Sequence, residues 1–154
     1  MGIPDFGMPP VDPFEADLEY GEKFKKAVLL MAGAAVQKLM QSLAKEQEVL
    51  MRIADMMIWT YTAESLVLRV QKLACQRGED AVAHEMAMMK VYCYTVAECI
   101  HSADKEALLA FAEGDELKGM LMGLKRFTKT EPFNTTAVRQ SIALKLIEEG
   151  KYCW

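Results

Sequence analysis

Apolar residues recur along most of this chain at alternating three- and four-residue steps, the period of a helix with one buried side. From Glu22 to Leu43 the stripe is Phe24, Val28, Met31, Ala35, Leu39 and Ser42, with Lys25, Lys26, Gln37, Lys38 and Gln41 off it. The segment Lys45 to Gln76 contains no glycine or proline. Its stripe is Ile53, Met56, Thr60, Ala63, Val67, Val70 and Ala74, and Leu50, Met57, Tyr61 and Leu68 run beside it. That broad apolar face suits a helix with several neighbours, and Gly78 supplies a stop. From Glu79 to Glu113 the repeat Val82, Met86, Met89, Cys93, Val96, Ile100, Ala103, Ala107, Ala110 continues without a gap. A helix that long would span about 50 Å, so it either crosses a bundle end to end or breaks at Ser102 to Asp104. Gly114 and Asp115 predict a turn, with Asp115 capping a helix that reaches about Thr128 through Leu117, Leu121, Leu124 and Phe127. After a loop containing Pro132, Asn134 caps a last helix, Thr135 to Glu149, which Gly150 ends. Lys151 to Trp154 is expected to pack back on the bundle. No period-two alternation competes, and the pattern predicts an all-α, up-and-down bundle of four to six helices.

The amino end reads differently. Gly7, Pro9, Pro10, Asp12 and Pro13 punctuate it, and Asp12, Pro13 and Glu15 fit N-cap, N1 and N3. Gly21 is expected to interrupt the helix that starts there, at moderate cost. Residues 1–21 therefore read as an acidic, proline-rich linker with a short helix, and residues 22–154 as the bundle domain. The first 22 residues hold no Lys or Arg, which is not the pattern of a signal peptide. The longest apolar run, Ala27 to Val36, is too short to cross a membrane. The 154 residues suffice for one domain with a real core. A net charge of -4 gives no general attraction to nucleic acid. Four cysteines at low density, three of them inside helical patterns, favour a reduced, cytoplasmic protein.

Few residues offer chemistry. Glu98 and His101 form Glu-x-x-His, the unit of di-iron bundles, which need it twice plus two further glutamates. His84 has Ala81 three residues before it, and Glu64 supplies one extra carboxylate, so the set is incomplete. A Glu–His contact on a helix surface or bundle seam is the expectation. Cys93, Cys99 and His101 do not have structural-zinc spacing. Glu64 sits among Tyr61, Ser65 and Leu68 on an otherwise apolar surface. It reads as paired with Arg69, Arg52 or another helix, as a proton donor or ligand contact, or as exposed at the stripe edge. Ser42, Ser65, Ser102 and Ser141 have no histidine at a telling spacing, and no glycine-rich phosphate loop is present. Gly119 and Gly123 suggest close helix contact. Lys118, Lys125, Arg126 and Lys129 form a small basic patch, read as a solvated face or a surface for an anionic partner. The twelve methionines, among them Met51, Met56, Met57, Met86, Met88, Met89, Met120 and Met122, suit core filling and an adaptable docking surface. Lys25, Lys26 and Lys38 flank the apolar face of the Phe24–Leu43 helix too sparsely for strong membrane binding.

Four blocks in order resemble a known family. LMRIADMMIWTYTAESLVLR (Leu50 to Arg69) and AMMKVYCYTVAECIHSADKEAL (Ala87 to Leu108) are similar to the extra C-terminal helical domain of bacterial acyl-CoA dehydrogenases. FAEGDELKGMLMGLKRFTK (Phe111 to Lys129) and NTTAVRQSIALKLIEEGKY (Asn134 to Tyr152) match it most firmly. The likeness covers nearly all of residues 22–154, and the very-long-chain dehydrogenases are more distantly similar. The resemblance implies a parent flavoprotein that oxidises acyl-CoA thioesters at Cα–Cβ in fatty acid metabolism, using FAD, a glutamate base and an electron-transferring flavoprotein. Those groups would lie in a catalytic body outside this chain, so no catalytic, cofactor-binding or metal residue is expected here. Glu64 and Glu98 do not match the family base. The implied role is a non-catalytic assembly or scaffold domain that packs on the body and supports a dimer. The alternative is a free-standing helical interaction module derived from such a domain.

Overall fold

The computed structural model describes residues 14–152. The expected Asp12–Pro13 cap lies outside them. Helix α1 (Glu15–Leu39) begins before the expected start at Glu22 and runs straight through Gly21. A mid-helix glycine costs about 1 kcal/mol against alanine, yet tertiary packing holds this one. A Cβ at Gly21 would stand 3.9 Å from the Cβ of Glu64 on the next helix. The α-helix also stops earlier than Leu43. Met40 turns to a positive φ of 43°, and a 3-10 turn, Met40–Lys45, reverses the chain. Ser42 consequently leaves the α1 stripe and donates its hydroxyl proton to the Leu39 carbonyl at 2.6 Å.

α2 (Gln47–Arg77) and α3 (Ala83–Phe111) follow the predicted stripes closely. Gly78, at φ +87°, ends α2. A 3-10 turn (Asp80–Val82) leads into α3, which does not break at Ser102 to Asp104. On α2 the stripe from Met56 to Ala74 is buried, with Ile53 partly so, and on α3 it is buried from Met89 to Ala107. α1 contributes Phe24, Ala27, Met31 and Ala35 to the same core. Helices α1, α2 and α3 pack mutually. Arg52 meets Glu106 and Thr62 meets Tyr92, so α2 and α3 run antiparallel.

α4 (Gly114–Phe127) closes the bundle over α1 and α3 and buries Leu124. Its N-cap is Glu113 rather than the expected Asp115, because Gly114 takes φ +61° and already belongs to the helix. Asp115 instead pairs with Lys118 at 2.9 Å. α5 (Thr135–Glu149) starts at the expected cap, where the Asn134 side chain accepts from the Ala137 N–H at 3.0 Å. Gly150 ends it in the left-handed region. Among the described residues α5 lies on α3 alone, and none of its own residues is fully buried. Tyr152 is exposed, so the described part of the tail does not fold back; Cys153 and Trp154 fall outside the described residues. The described residues form an all-α bundle of five helices with no strand.

Candidate functional site

Each polar residue singled out above has a definite place in this frame. The Glu98–His101 contact does not form: Glu98 is exposed, and His101 turns towards the end of α4. His101 Nδ1 lies 2.9 Å from the hydroxyl of buried Thr128. That hydroxyl donates its single proton to the Leu124 carbonyl, also at 2.9 Å. Thr128 must therefore accept from His101, which fixes the proton on Nδ1. The histidine thus tethers α3 to α4. Beside it is an open cleft of about 390 Å³, bordered by Tyr94, Glu98, Lys125 and Lys129. Among the described residues no group of three or more His, Cys, Asp or Glu side chains could hold a metal ion.

Glu64 is half-buried, and its partner is Lys25 of α1 at 2.6 Å, which also meets Glu22 at 3.1 Å. Of the partners weighed from the sequence, the residue from another helix is the one realised. Arg52 is engaged with Glu106 at 2.7 Å, and Arg69 is exposed. The hydrogen bond to Glu64 raises the Lys25 pKa, so the ammonium is held firmly charged. In the basic patch, Lys118 is taken up by Asp115, while Lys125, Arg126 and Lys129 face solvent. The two α4 glycines differ. A Cβ at Gly123 would come 3.3 Å from Leu30 Cδ2 of α1, whereas one at Gly119 would meet nothing within 4 Å. The methionines divide as well: Met31, Met56 and Met89 are core, and Met51, Met57 and Met122 are exposed.

Two carboxyls escaped the sequence reading. Asp17 is buried near the start of α1, beside a cleft of about 300 Å³ that Lys90, Tyr94 and Phe133 also line. Burial raises its pKa, and the positive charge of Lys90 partly opposes the rise. Burial, with a smaller push from Asp17, drives the Cys93 thiol up to about 12, so it is no nucleophile. Asp104 is wholly buried on α3, one turn past His101, and neither carboxyl oxygen has a hydrogen-bond partner among the described residues. Desolvation alone lifts its pKa to about 7. The α3 repeat itself carried the signal. Asp104 stands four residues after Ile100 and between Ala103 and Ala107, in register with the core rather than at a break.

The described residues form a long helical bundle in which Lys25–Glu64, Arg52–Glu106 and His101–Thr128 tether one helix to the next. The chain belongs to the acyl-CoA dehydrogenase C-terminal domain family, whose model matches residues 23–126. Among curated relatives, a probable acyl-CoA dehydrogenase of Bacillus subtilis is 33% identical over 128 residues. That match covers 83% of this chain and 22% of the relative. Among solved structures, an acyl-CoA dehydrogenase of Bacillus anthracis complexed with FAD superposes with a TM-score of 0.89 at 32% identity. It covers 94% of this chain and 25% of that one. The chain therefore spans about a quarter of the length of the relatives it matches.

Proposed function

We propose that this chain is a non-catalytic assembly domain of an FAD-dependent acyl-CoA dehydrogenase, packing on the catalytic body and supporting dimerisation. The observation that carries the reading is the near-complete structural match to one quarter of an FAD-complexed dehydrogenase. The remaining three-quarters of such an enzyme have room for the flavin, the base and the thioester site. FAD supplies hydride acceptance in such an enzyme, and we assign it to the body. We assign no catalytic, cofactor-binding or metal residue to this chain.

What the domain contributes is surface. Leu144, Leu146 and Ile147 of α5 are exposed, as is a row along α2. Covering apolar area removes it from water at roughly 25 cal/mol per Å², enough to hold a rigid bundle against a neighbouring domain. The proposed setting is the cytoplasm, with an electron-transferring flavoprotein as redox partner of the parent enzyme and no nucleic-acid partner. The α1 region does contain a stretch, Asp17–Lys45, long and apolar enough to cross a membrane by length and composition. However, Phe24, Ala27, Met31 and Ala35 of that stretch face the core, which supports a core helix.

The test is affinity isolation of the native protein from its source cells through an antibody to this chain. The expected product carries flavin absorbance and reduces an electron acceptor when given acyl-CoA, while the isolated 154-residue chain does neither. Isolation of the chain with no flavoprotein attached would contradict the proposal.

A further inference from the structure

α2 carries two heptad stripes on different faces. One is the core stripe from Met56 to Ala74. The other is Met51, Ala54, Ile58, Tyr61, Ser65 and Leu68, spaced three, four, three, four, three, and every member is exposed. Met51 is 63% exposed, Ile58 59%, Tyr61 71% and Leu68 50%. That spacing is the seam of a two-helix coiled coil, whose apolar positions stay buried against a partner helix. Within this chain nothing covers it among the described residues. Its neighbours flank it instead. On one side the Lys25–Glu64 pair ties α1 to α2. On the other, the Thr62 hydroxyl meets Tyr92 of α3 at 2.7 Å.

From this pattern we infer that the outer face of α2 binds a second copy of the same chain, α2 against α2, antiparallel about a two-fold axis between Trp59 and Thr60. The stripe reads the same in both directions by size: large, small, large, large, small, large. A two-fold between 59 and 60 sets Met51 against Leu68 of the second copy, Ala54 against Ser65, and Ile58 against Tyr61. Each pair joins positions of opposite heptad type, as an antiparallel coiled coil requires, and the small pair lets the helices approach. The rim agrees. Exposed Arg69 of one copy falls near exposed Glu48 of the other, opposite charges on one flank of the antiparallel pair. Leu29 and Val36 extend the apolar face on α1. They lie at helical spacing from Lys25 along the side that meets Glu64.

This inference gives residues to the dimerisation part of the function proposed above, but its test needs no catalytic body. Sedimentation equilibrium on the intact 154-residue chain should show a dimer at micromolar concentration. The double variant Ile58→Glu/Tyr61→Glu, altered only at exposed positions, should weaken it by roughly 100-fold or more while helix content by circular dichroism stays unchanged. Register is read by cysteine pairing in a Cys75→Ser/Cys153→Ser background. Ala54→Cys/Ser65→Cys should oxidise to a covalent dimer. Ala54→Cys alone should not, because the two copies of residue 54 would sit roughly 16 Å apart, beyond disulfide reach. A monomer at all concentrations, a dimer indifferent to the glutamates, or self-linking of Ala54→Cys would each overturn the inference. The assembly-domain reading would survive any of these, since co-isolation with a flavoprotein tests that separately.

Discussion

Asparagine at position 104 should flatten a pH dependence that the wild-type fold carries. Asp104 has no exposed surface and no hydrogen-bond partner among the described residues. Burial moves its pKa from 3.8 to about 7. One unit is worth 1.36 kcal/mol, so the charged form disfavours folding by about 4 kcal/mol relative to the protonated form. The sign follows from proton binding. The folded state holds this proton more tightly than the unfolded chain. Its favourable effect is therefore complete below pH 3.8, declines as pH rises, and is gone above about 7. A domain of this size is stable by about 5–15 kcal/mol in all, so the effect is large. Asp104→Asn cannot ionise, although its buried amide costs about 1–3 kcal/mol at every pH. The wild type should be the more stable protein at pH 4 and the variant the equal or better one at pH 8. Asp17, whose pKa is also raised, is common to both proteins and cancels in the difference. Urea unfolding of the pair across that range gives the comparison. Parallel stability curves would refute the reasoning.

Other substitutions probe the local geometry. Gly119→Ala should stabilise the domain by about 0.5–1 kcal/mol through helix propensity, since its Cβ meets open space. Gly123→Ala should gain less, because the Leu30 methyl 3.3 Å away must shift; equal gains in urea unfolding would put the α1–α4 contact in doubt. Asn134→Ala should lose about 1 kcal/mol with the α5 cap, and faster amide exchange at residues 135–138 would report it. Glu64→Gln keeps an acceptor for Lys25 and should melt closer to wild type than Glu64→Leu; identical melting of the two would remove the hydrogen bond as its purpose.

The core was legible in the sequence wherever a heptad stripe met a neighbour along its whole length. α2 and α3 are such helices, and their predicted stripes are buried almost residue for residue. α1 was less legible at both ends because tertiary contacts overrode local signals. Gly21 continues the helix by packing on Glu64, and Met40 breaks it with a backbone conformation that methionine rarely adopts. Polar residues were harder still. The spacing of Glu98 and His101 suggested a pair, but side-chain direction sends the histidine to Thr128, twenty-seven residues away in sequence. Asp104 was hidden by its type: an aspartate two residues after a serine reads as a helix break, and only its register with Ile100 and Ala107 marks it as core. The exposed row on α2 was visible as a broad apolar face. Its division into a buried stripe and an open one depends on where α1 and α3 sit.

The size of the native polypeptide in extracts of the source cells, detected with an antibody to this domain, tests the central claim most directly. The account requires a band several-fold larger than 17.3 kDa, the dehydrogenase of which this bundle is one part. A band near 17.3 kDa with no larger species would contradict it and establish a free-standing helical protein derived from such a domain.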